Sequence, residues 1–388
     1  MVAIIRKSEK APFWVRAYRG AAPVRRWLNK YMTFMTDDLI SAAYECRNPQ
    51  AHNIGLWFGT RLRRLHKNIL KGLESEVVRM RGVGKDDGQP LSLLYIGDET
   101  NLKYLTFSVF ADVSTERENL GRCYTRQMLD VATDYGRIFD LVVLERPVGM
   151  KTWPTTGEWF RAPLWVRMVK NLQPGTTDEQ IQATYRKHQI KNIKLTRKTG
   201  LFRKISHDGE DFKYFYESMY VPSMKLRHGA YGGIVDFEYY QVLTRKGFLM
   251  WICLPDGIKV AGSIFIERHG VLYGVLNGFL NGDPQWLQKG ALSAIYIFTY
   301  EYAVEKCIRF VDVGEVMPIL TNGLYNHKKR WGFNPEISPW HVNEWLFWIP
   351  KAESPAWNWL EAHPFELSLI SYHGDQIKRL VTQKSTQN

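Results

Sequence analysis

Cysteine is scarce in this chain of 388 residues, and the four present, Cys46, Cys123, Cys253 and Cys307, stand far apart. No Cys-x-x-Cys pair and no Cys/His cluster appears, so the common zinc spacings are excluded and no metal site is expected. Scattered cysteines of this kind read as free thiols in a reducing compartment. Long apolar runs are lacking as well. No segment reaches the roughly 18 uninterrupted apolar residues of a membrane-spanning helix. The opening MVAIIRKSEKAPFWVRAYRG lacks the apolar core of a secretory signal. These absences predict a cytoplasmic protein. Low-complexity tracts and a clear repeat between the two halves are missing too.

Acidic residues are the minority: 39 Asp and Glu against 52 Lys and Arg give a formal charge of +13. Such a balance favours an anionic partner, whether nucleic acid, a phosphorylated cofactor, an acidic glycan or a membrane surface. What is abundant is aromatic. Fourteen Trp and twenty Tyr argue for buried aromatic packing and against a disordered chain. The length allows two or more cores.

Residues 1–90 read as a basic helical extension. Leu62, Leu65, Ile69 and Leu73 recur at helical spacing with Arg and Lys on the other face. Such a helix packs on the body of the protein, or docks on a membrane surface or partner. The loop GKDDGQP (84–90) marks a boundary. Residues 91–200 alternate strand and helix signals. LSLLYIG, YLTFSVFAD and FDLVVLERP are β-prone, a helix is expected around Arg126–Tyr135, and MKTWPTTGEWFRAPLW reads as a loop. Thr177 to Gly200 reads as one helix, with Thr177 and Gln180 as a capping box and Gly200 beyond its end. Lys187, Lys191, Lys194 and Lys198 fall on one of its faces, as a solvated face or as an anion contact.

Residues 201–350 are sharper. A strand (LFRKIS), a helix from Asp208 to Met224 and a second from Ile234 to Lys246 precede FLMWICL and KVAGSIFIE, joined through Pro255-Asp256-Gly257. His269-Gly270 turns the chain into VLYGVLNG. A long helix from about Trp286 to Lys306 follows, then a strand (IRFVDVG), a helix over 319–331 and a last strand (NEWLFWI). Residues 351–388 are left as a tail.

This order, β-α-α-β-β-β-α-β-α-β, resembles the GCN5-related N-acetyltransferase (GNAT) fold. TDEQIQATYRKHQIKNIKLTRKTGLF (177–202) and GLYNHKKRWG (323–332) are similar to segments of FemAB-type aminoacyltransferases. They are also similar to BioF2-like relatives associated with cellulose and exopolysaccharide biosynthesis. The resemblance spans roughly residues 150–350. It implies an α/β (α+β) fold of two GNAT-like lobes, 91–200 and 201–350, each a mixed twisted sheet flanked by helices. It implies transfer of an acyl group to an amine of an amino-sugar, amino-acid or peptide-like acceptor, in cell-envelope or exopolysaccharide biosynthesis. The donor is acyl-CoA or an acyl carrier; in the FemAB branch it is aminoacyl-tRNA. No cofactor is held permanently, and the basic N-terminal helices suit contact with the inner membrane. A noncatalytic GNAT-like module that binds an anionic polymer or membrane is the remaining reading.

The same resemblance assigns roles. The acyl chain lies between the strands VLYGVLNG and IRFVDVG, where Gly274 and Gly278 permit close approach and Asn277 orients the ligand. Glu315, ahead of Asp312, is the expected base. Tyr325 protonates the leaving group, and Lys328, three residues on, faces the acyl or phosphate end of the donor. Leu320, Leu324 and Trp331 follow core spacing; Lys329 and Arg330 are expected in solvent. Arg227 and His228, ahead of the glycine-rich GAYGG, are acceptor-binding candidates. One departure stands out. The usual [Arg/Gln]-x-x-Gly-x-[Gly/Ala] phosphate loop is reduced to WLQKGALSA, which leaves Gln288, Lys289 and Gly290 to meet a phosphate.

Overall fold

The computed structural model describes residues 74–366 except 112–114, 148–158, 174, 229–233, 236, 246 and 339–342, together with position 62. The expected amphipathic helix around Leu62–Leu73 and the membrane-docking role given to it lie outside these residues.

Two mixed sheets organise the chain. The first has six strands: β1 (Glu74–Val83), β2 (Pro90–Gly97), β3 (Glu116–Tyr124), β4 (Leu141–Pro147), β5 (Trp159–Pro163) and, from far downstream, β13 (Asn343–Trp348). Their order is β3-β1-β2-β4-β13-β5. Helix α1 (Glu99–Val109) packs on one face through Leu102, Leu105 and Val109, and α2 (Met128–Gly136) on the other through Met128 and Ala132. The second sheet has seven strands: β6 (Val166–Asn171), β7 (Phe202–Ser206), β8 (Phe248–Cys253), β9 (Lys259–Arg268), β10 (Val271–Phe279), β11 (Phe310–Val316) and β12 (Asn334–Ile337). Their order is β12-β6-β11-β10-β9-β8-β7.

Helices cover both faces of this second sheet. α3 (Asp178–Ala183), α4 (Lys187–Thr199) and α9 (Ala291–Glu305) share a core with Val166, Phe265, Leu272 and Val311. On the opposite face α5 (Gly209–Phe215) runs through a π-helical turn at Tyr216–Tyr220 into α6 (Val221–His228), joined by α7 (Phe237–Thr244). α8 (Gln285–Gln288) precedes α9, α10 (Gly323–Arg330) follows β11, and α11 (Ala356–Ala362) closes the described chain against the first sheet.

Each sheet contains one parallel pair among antiparallel neighbours, β2 with β4 and β10 with β11. Each also borrows a strand from the other half of the sequence. β6 enters the second sheet between β11 and β12, and β13 enters the first between β4 and β5. Boundaries at 90 and 200 therefore do not separate the sheets. The helical reading of 1–90 fails from Glu74, where β1 begins and pairs with both β2 and β3.

Other expectations change for local reasons. YLTFSVFAD, read as a strand, lies mostly in α1, because Asp98 caps the helix by accepting from Thr100 N at 2.9 Å. The expected loop MKTWPTTGEWFRAPLW contains β5. The helix from Thr177 to Gly200 is two helices. The capping box at Thr177 and Gln180 starts α3, and a second side-chain cap, Gln189 Oε1 accepting from Arg186 N at 3.1 Å, restarts the chain as α4. Gly200 ends α4 at φ 69°, a left-handed conformation suited to glycine. The helix expected from Trp286 breaks at Lys289 and Gly290 into α8 and α9.

Candidate functional site

The parallel ladder between β10 and β11 is short. It pairs Val271 with Phe310, Leu272 with Val311 and Tyr273 with Asp312, and ends there, although the strands run on to Phe279 and Val316. Irregularities on both sides cause the divergence. β10 shifts register against β9 between Gly274 and Leu276, and β11 shifts against β6 between Asp312 and Glu315. Gly314 lies in the second bulge at φ 81°, a conformation costly for any residue with a Cβ. The unpaired stretch, Gly274–Asn277 facing Val313–Val316, is the candidate slot; it is narrow at its start, where a Cβ on Gly314 would stand 3.5 Å from Gly274 O.

The corresponding place in the first sheet is filled. β2 and β4 pair through Ile96 and Leu144, and the next side chain of β4, Glu145, turns into the space. Its carboxylate accepts from Tyr95 Oη (2.9 Å), Asp98 N (3.0 Å), Asn101 Nδ2 (3.0 Å) and Asn343 Nδ2 (2.7 Å). A Cβ on Gly97 would stand 2.6 Å from that of Glu145. Among the described residues the second sheet has no such side chain recorded between its parallel strands, and the candidate slot is therefore placed there.

Lys328 borders it. The side chain is buried, and its Nζ donates to Gly314 O at 3.1 Å and lies 3.5 Å from Glu315 O. Burial brings its pKa down to about 8, against the attraction of Asp312 and Glu315. α10 is fixed at both ends to hold it there. Asn322 Oδ1 accepts from Leu324 N (2.9 Å) and Tyr325 N (3.1 Å). At the other end Trp331, fully buried, stacks on Tyr296 at 5.5 Å and accepts at its carbonyl from Tyr300 Oη at 2.6 Å. The basic run His327–Arg330 occupies the last turn of α10, where cations meet the negative end of the helix dipole.

Below the slot lies a charged row that the sequence reading did not find. Arg167, 1% exposed, crosses from β6 to Asp312 (3.3 Å) and to Glu336 of β12 (2.8 Å). Asp312 also accepts from Gly314 N at 2.8 Å, and burial raises its pKa despite Arg167. The signal in the sequence was one arginine centred in the apolar run LWVRMV.

The expected site residues fall as follows. Glu315 lies on β11 across from Arg167 and accepts from Ser338 Oγ. Tyr325 is buried, and its hydroxyl donates to Glu366 at 2.6 Å. The chain after α11 brings Glu366 there by pairing Ile319 with Phe365. Burial and the neighbouring Glu366 push the Tyr325 hydroxyl pKa up. Tyr325 and Lys328 thus turn to different partners. Asn277 is exposed on β10, level with the buried Ser263 of β9. Gly278 serves packing, since a Cβ there would meet Tyr220 N at 2.7 Å and the Met219 carbonyl carbon at 2.8 Å. Gln288 is exposed, and Lys289 is exposed with its ammonium 4.7 Å from the Trp286 ring. Gly290 faces Leu195 of α4, 3.3 Å from where a Cβ would stand. Arg227 lies over the Phe279 ring at 4.8 Å, and His228 closes α6. Lys329 and Arg330 are exposed, but so are Leu320 (38%) and Leu324 (51%), which core spacing had placed inside. Leu324 lies on the outer side of α10, whose inner side is taken by Tyr325 and Lys328, and Leu320 precedes the helix.

No protein-family model and no curated protein matches the sequence. Among solved structures, the chain is similar to FemX, at 14% identity over 74% of this chain and 90% of that one, with a TM-score of 0.37. It is similar to L-PGS from Bacillus licheniformis at 12% identity over 73% and 87%, with a TM-score of 0.34. A tandem GNAT protein from the clavulanic acid biosynthesis pathway shares 10% identity over 74% and 86%, with a TM-score of 0.28. Likenesses of this size carry no functional conclusion. Among the described residues no helix is long and apolar enough to cross a membrane.

Proposed function

We propose that this chain is an N-acyltransferase that moves an acyl group from acyl-CoA or an acyl carrier to an amine of an amino-sugar, amino-acid or peptide-like acceptor. The observation that carries the reading is the divergence of β10 from β11 beside the buried amine of Lys328. A slot between two splayed strands offers main-chain groups no longer used by the ladder. They can hold an extended acyl chain and its carbonyl. In the proposed reaction the acceptor nitrogen attacks the acyl carbonyl carbon and the carbon–sulfur bond breaks. Glu315 takes the proton leaving the amine, directly or through water, and the departing thiolate takes a proton in turn. Lys328 places a positive charge at the β11 edge, where negative charge develops. Tyr325 is protonated at neutral pH; for it to supply the thiolate's proton, the bond to Glu366 must open. Work in the cytoplasm on cell-envelope or exopolysaccharide precursors, with the basic N-terminal extension read over residues 1–90 meeting the inner-membrane surface, belongs to the same proposal.

A second reading replaces the donor by aminoacyl-tRNA. It rests on Lys187, Lys191, Lys194 and Lys198, all exposed along α4 and without an ion pair among the described residues. Thermal stabilisation of the full chain by acetyl-CoA, by aminoacyl-tRNA and by anionic vesicles separates the readings, because a ligand selective for the folded state raises its apparent stability. Stabilisation by acetyl-CoA, with free thiol released when amines are added, supports the proposal. A response to tRNA that weakens steeply with salt favours the second donor. A response to vesicles alone overturns both.

A further inference from the structure

We propose that Arg167 and Asp312 are positioning residues for Lys328: they fix Gly314 so that its carbonyl anchors the buried amine at the β11 edge. The proposal deepens the acyltransferase reading. It rests on that reading for the part Lys328 plays in turnover, and the anchoring itself is measurable without a substrate.

A series of contacts joins the outer edge of the second sheet to the amine. Glu336 of β12, whose side chain is 45% exposed, accepts from Arg167 Nη2 at 2.8 Å and from its Nε at 3.3 Å. Arg167 Nη1 donates to Asp312 Oδ2 at 3.3 Å. The other oxygen of that carboxylate, Oδ1, accepts from Gly314 N at 2.8 Å. The Gly314 carbonyl in turn accepts from Lys328 Nζ at 3.1 Å. Arg167 and Asp312 are both buried.

Gly314 needs such a clamp. Glycine is the most permissive of residues, and this one stands at φ 81°. The strand ladders do not hold it. Pairing with β10 ends at Asp312, and pairing with β6 passes from Asp312 to Glu315. In their place Asp312 holds the Gly314 N–H, and Lys328 meets the carbonyl.

Packing alone does not account for Arg167. Its neighbours along β6, Val166, Met168 and Val169, are buried and apolar. A further apolar side chain would join β12, β6 and β11 at no greater cost than a buried ion pair. It would, however, leave the Asp312 carboxylate uncompensated. Burial already raises the Asp312 pKa, and Arg167 opposes the rise. The guanidinium stays charged at any working pH, so it keeps the carboxylate ionised and aimed at Gly314. The anions that act on Lys328 are this carboxylate and that of Glu315, both from β11.

The test is a pH titration of the full chain carrying ¹³C-labelled lysine, followed by NMR, with the Lys328 signal assigned by its loss in Lys328→Met. Asp312→Asn keeps the size of the side chain and removes its charge. The Lys328 titration, at about 8 in wild type, should then fall by about one pH unit or more. Thiol release from acetyl-CoA with an amine acceptor should lose roughly tenfold or more in kcat with KM kept, and its alkaline limb should move down with the Lys328 titration. Arg167→Lys keeps the charge but not the planar fork that reaches Glu336 and Asp312 together. It should speed hydrogen exchange at the Gly314 amide by roughly tenfold or more, and it carries the test where Asp312→Asn does not fold. A Lys328 titration unmoved in Asp312→Asn, or Gly314 exchange unmoved in Arg167→Lys, overturns the anchoring. Thiol release unchanged in both variants overturns the positioning role in turnover. A shifted titration in a protein that releases no thiol even as wild type sustains the anchoring and counts against the acyltransferase reading alone.

Discussion

The substitution Lys328→Met removes a buried amine while keeping most of its length. The effect on stability must depend on pH in a calculable way. The folded-state pKa is about 8 against an ordinary value of 10.5. Between these values the unfolded chain holds a proton that the folded chain has released, so wild-type stability rises with pH through this window. Below pH 8 the amine is charged in both states and the burial penalty stands in full. From pH 7 to pH 10 the gain integrates to about 2.5 kcal/mol, from about 1.36 kcal/mol per pKa unit with both titrations included. The thioether of the variant does not titrate and has no such term. Urea unfolding of both proteins at pH 7 and pH 10 gives a difference of differences in which the titrations of unaffected groups cancel. Wild type should gain about 2.5 kcal/mol on the variant as the pH is raised. A difference between the two proteins that stays constant within about 0.5 kcal/mol would refute the burial of a neutralisable amine. Turnover should be lost in the same variant at every pH.

Tyr325→Phe removes the donor to Glu366 and should cost about 1.5–3 kcal/mol by urea unfolding; loss of turnover in a folded variant would support its place in the proposed reaction. Gly278→Ala drives a Cβ into the main chain of the π-helical turn and should destabilise by about 1–3 kcal/mol. Gly323→Ala meets nothing within 4 Å and should stabilise α10 by roughly 0.5–1 kcal/mol, a contrast readable as opposite shifts in Tm. Glu145→Leu strands four donors around an apolar side chain and should cost about 3–5 kcal/mol, measured by the same unfolding assay.

Much of the second sheet was legible because its strands are short apolar runs between turn residues. FLMWIC is buried at every position, and the hairpin turn at Pro255-Asp256-Gly257 limits the pairing. β1 and β3 were not legible for the opposite reason. β3 is an edge strand, ERENLGRCY, that buries only Leu120 and Cys123, and its charges suit an edge that must not pair further. α1 misled because Tyr, Phe, Thr and Val favour strands, whereas the Asp98 cap and the buried spacing of Leu102, Leu105 and Val109 decide for helix. In the site, the position of Lys328 on α10 was legible, but its burial and partners were not. They depend on the Gly314 bulge, which exists only when β11 meets β6. Arg167 was missed because its partners are Asp312 and Glu336, more than 140 residues away.

The exchange of β6 and β13 bears on how the chain is made. The first sheet keeps a gap between β4 and β5 until Asn343–Trp348 has left the ribosome. A nascent chain ending before that point exposes the facing edges of β4 and β5 with nothing between them. Folding of the first half therefore waits for the second, and a stop codon anywhere before β13 leaves that gap permanently unfilled. The cell has a long interval in which the gap must be kept from other strands, and a chaperone that recognises extended apolar segments would find its substrate there.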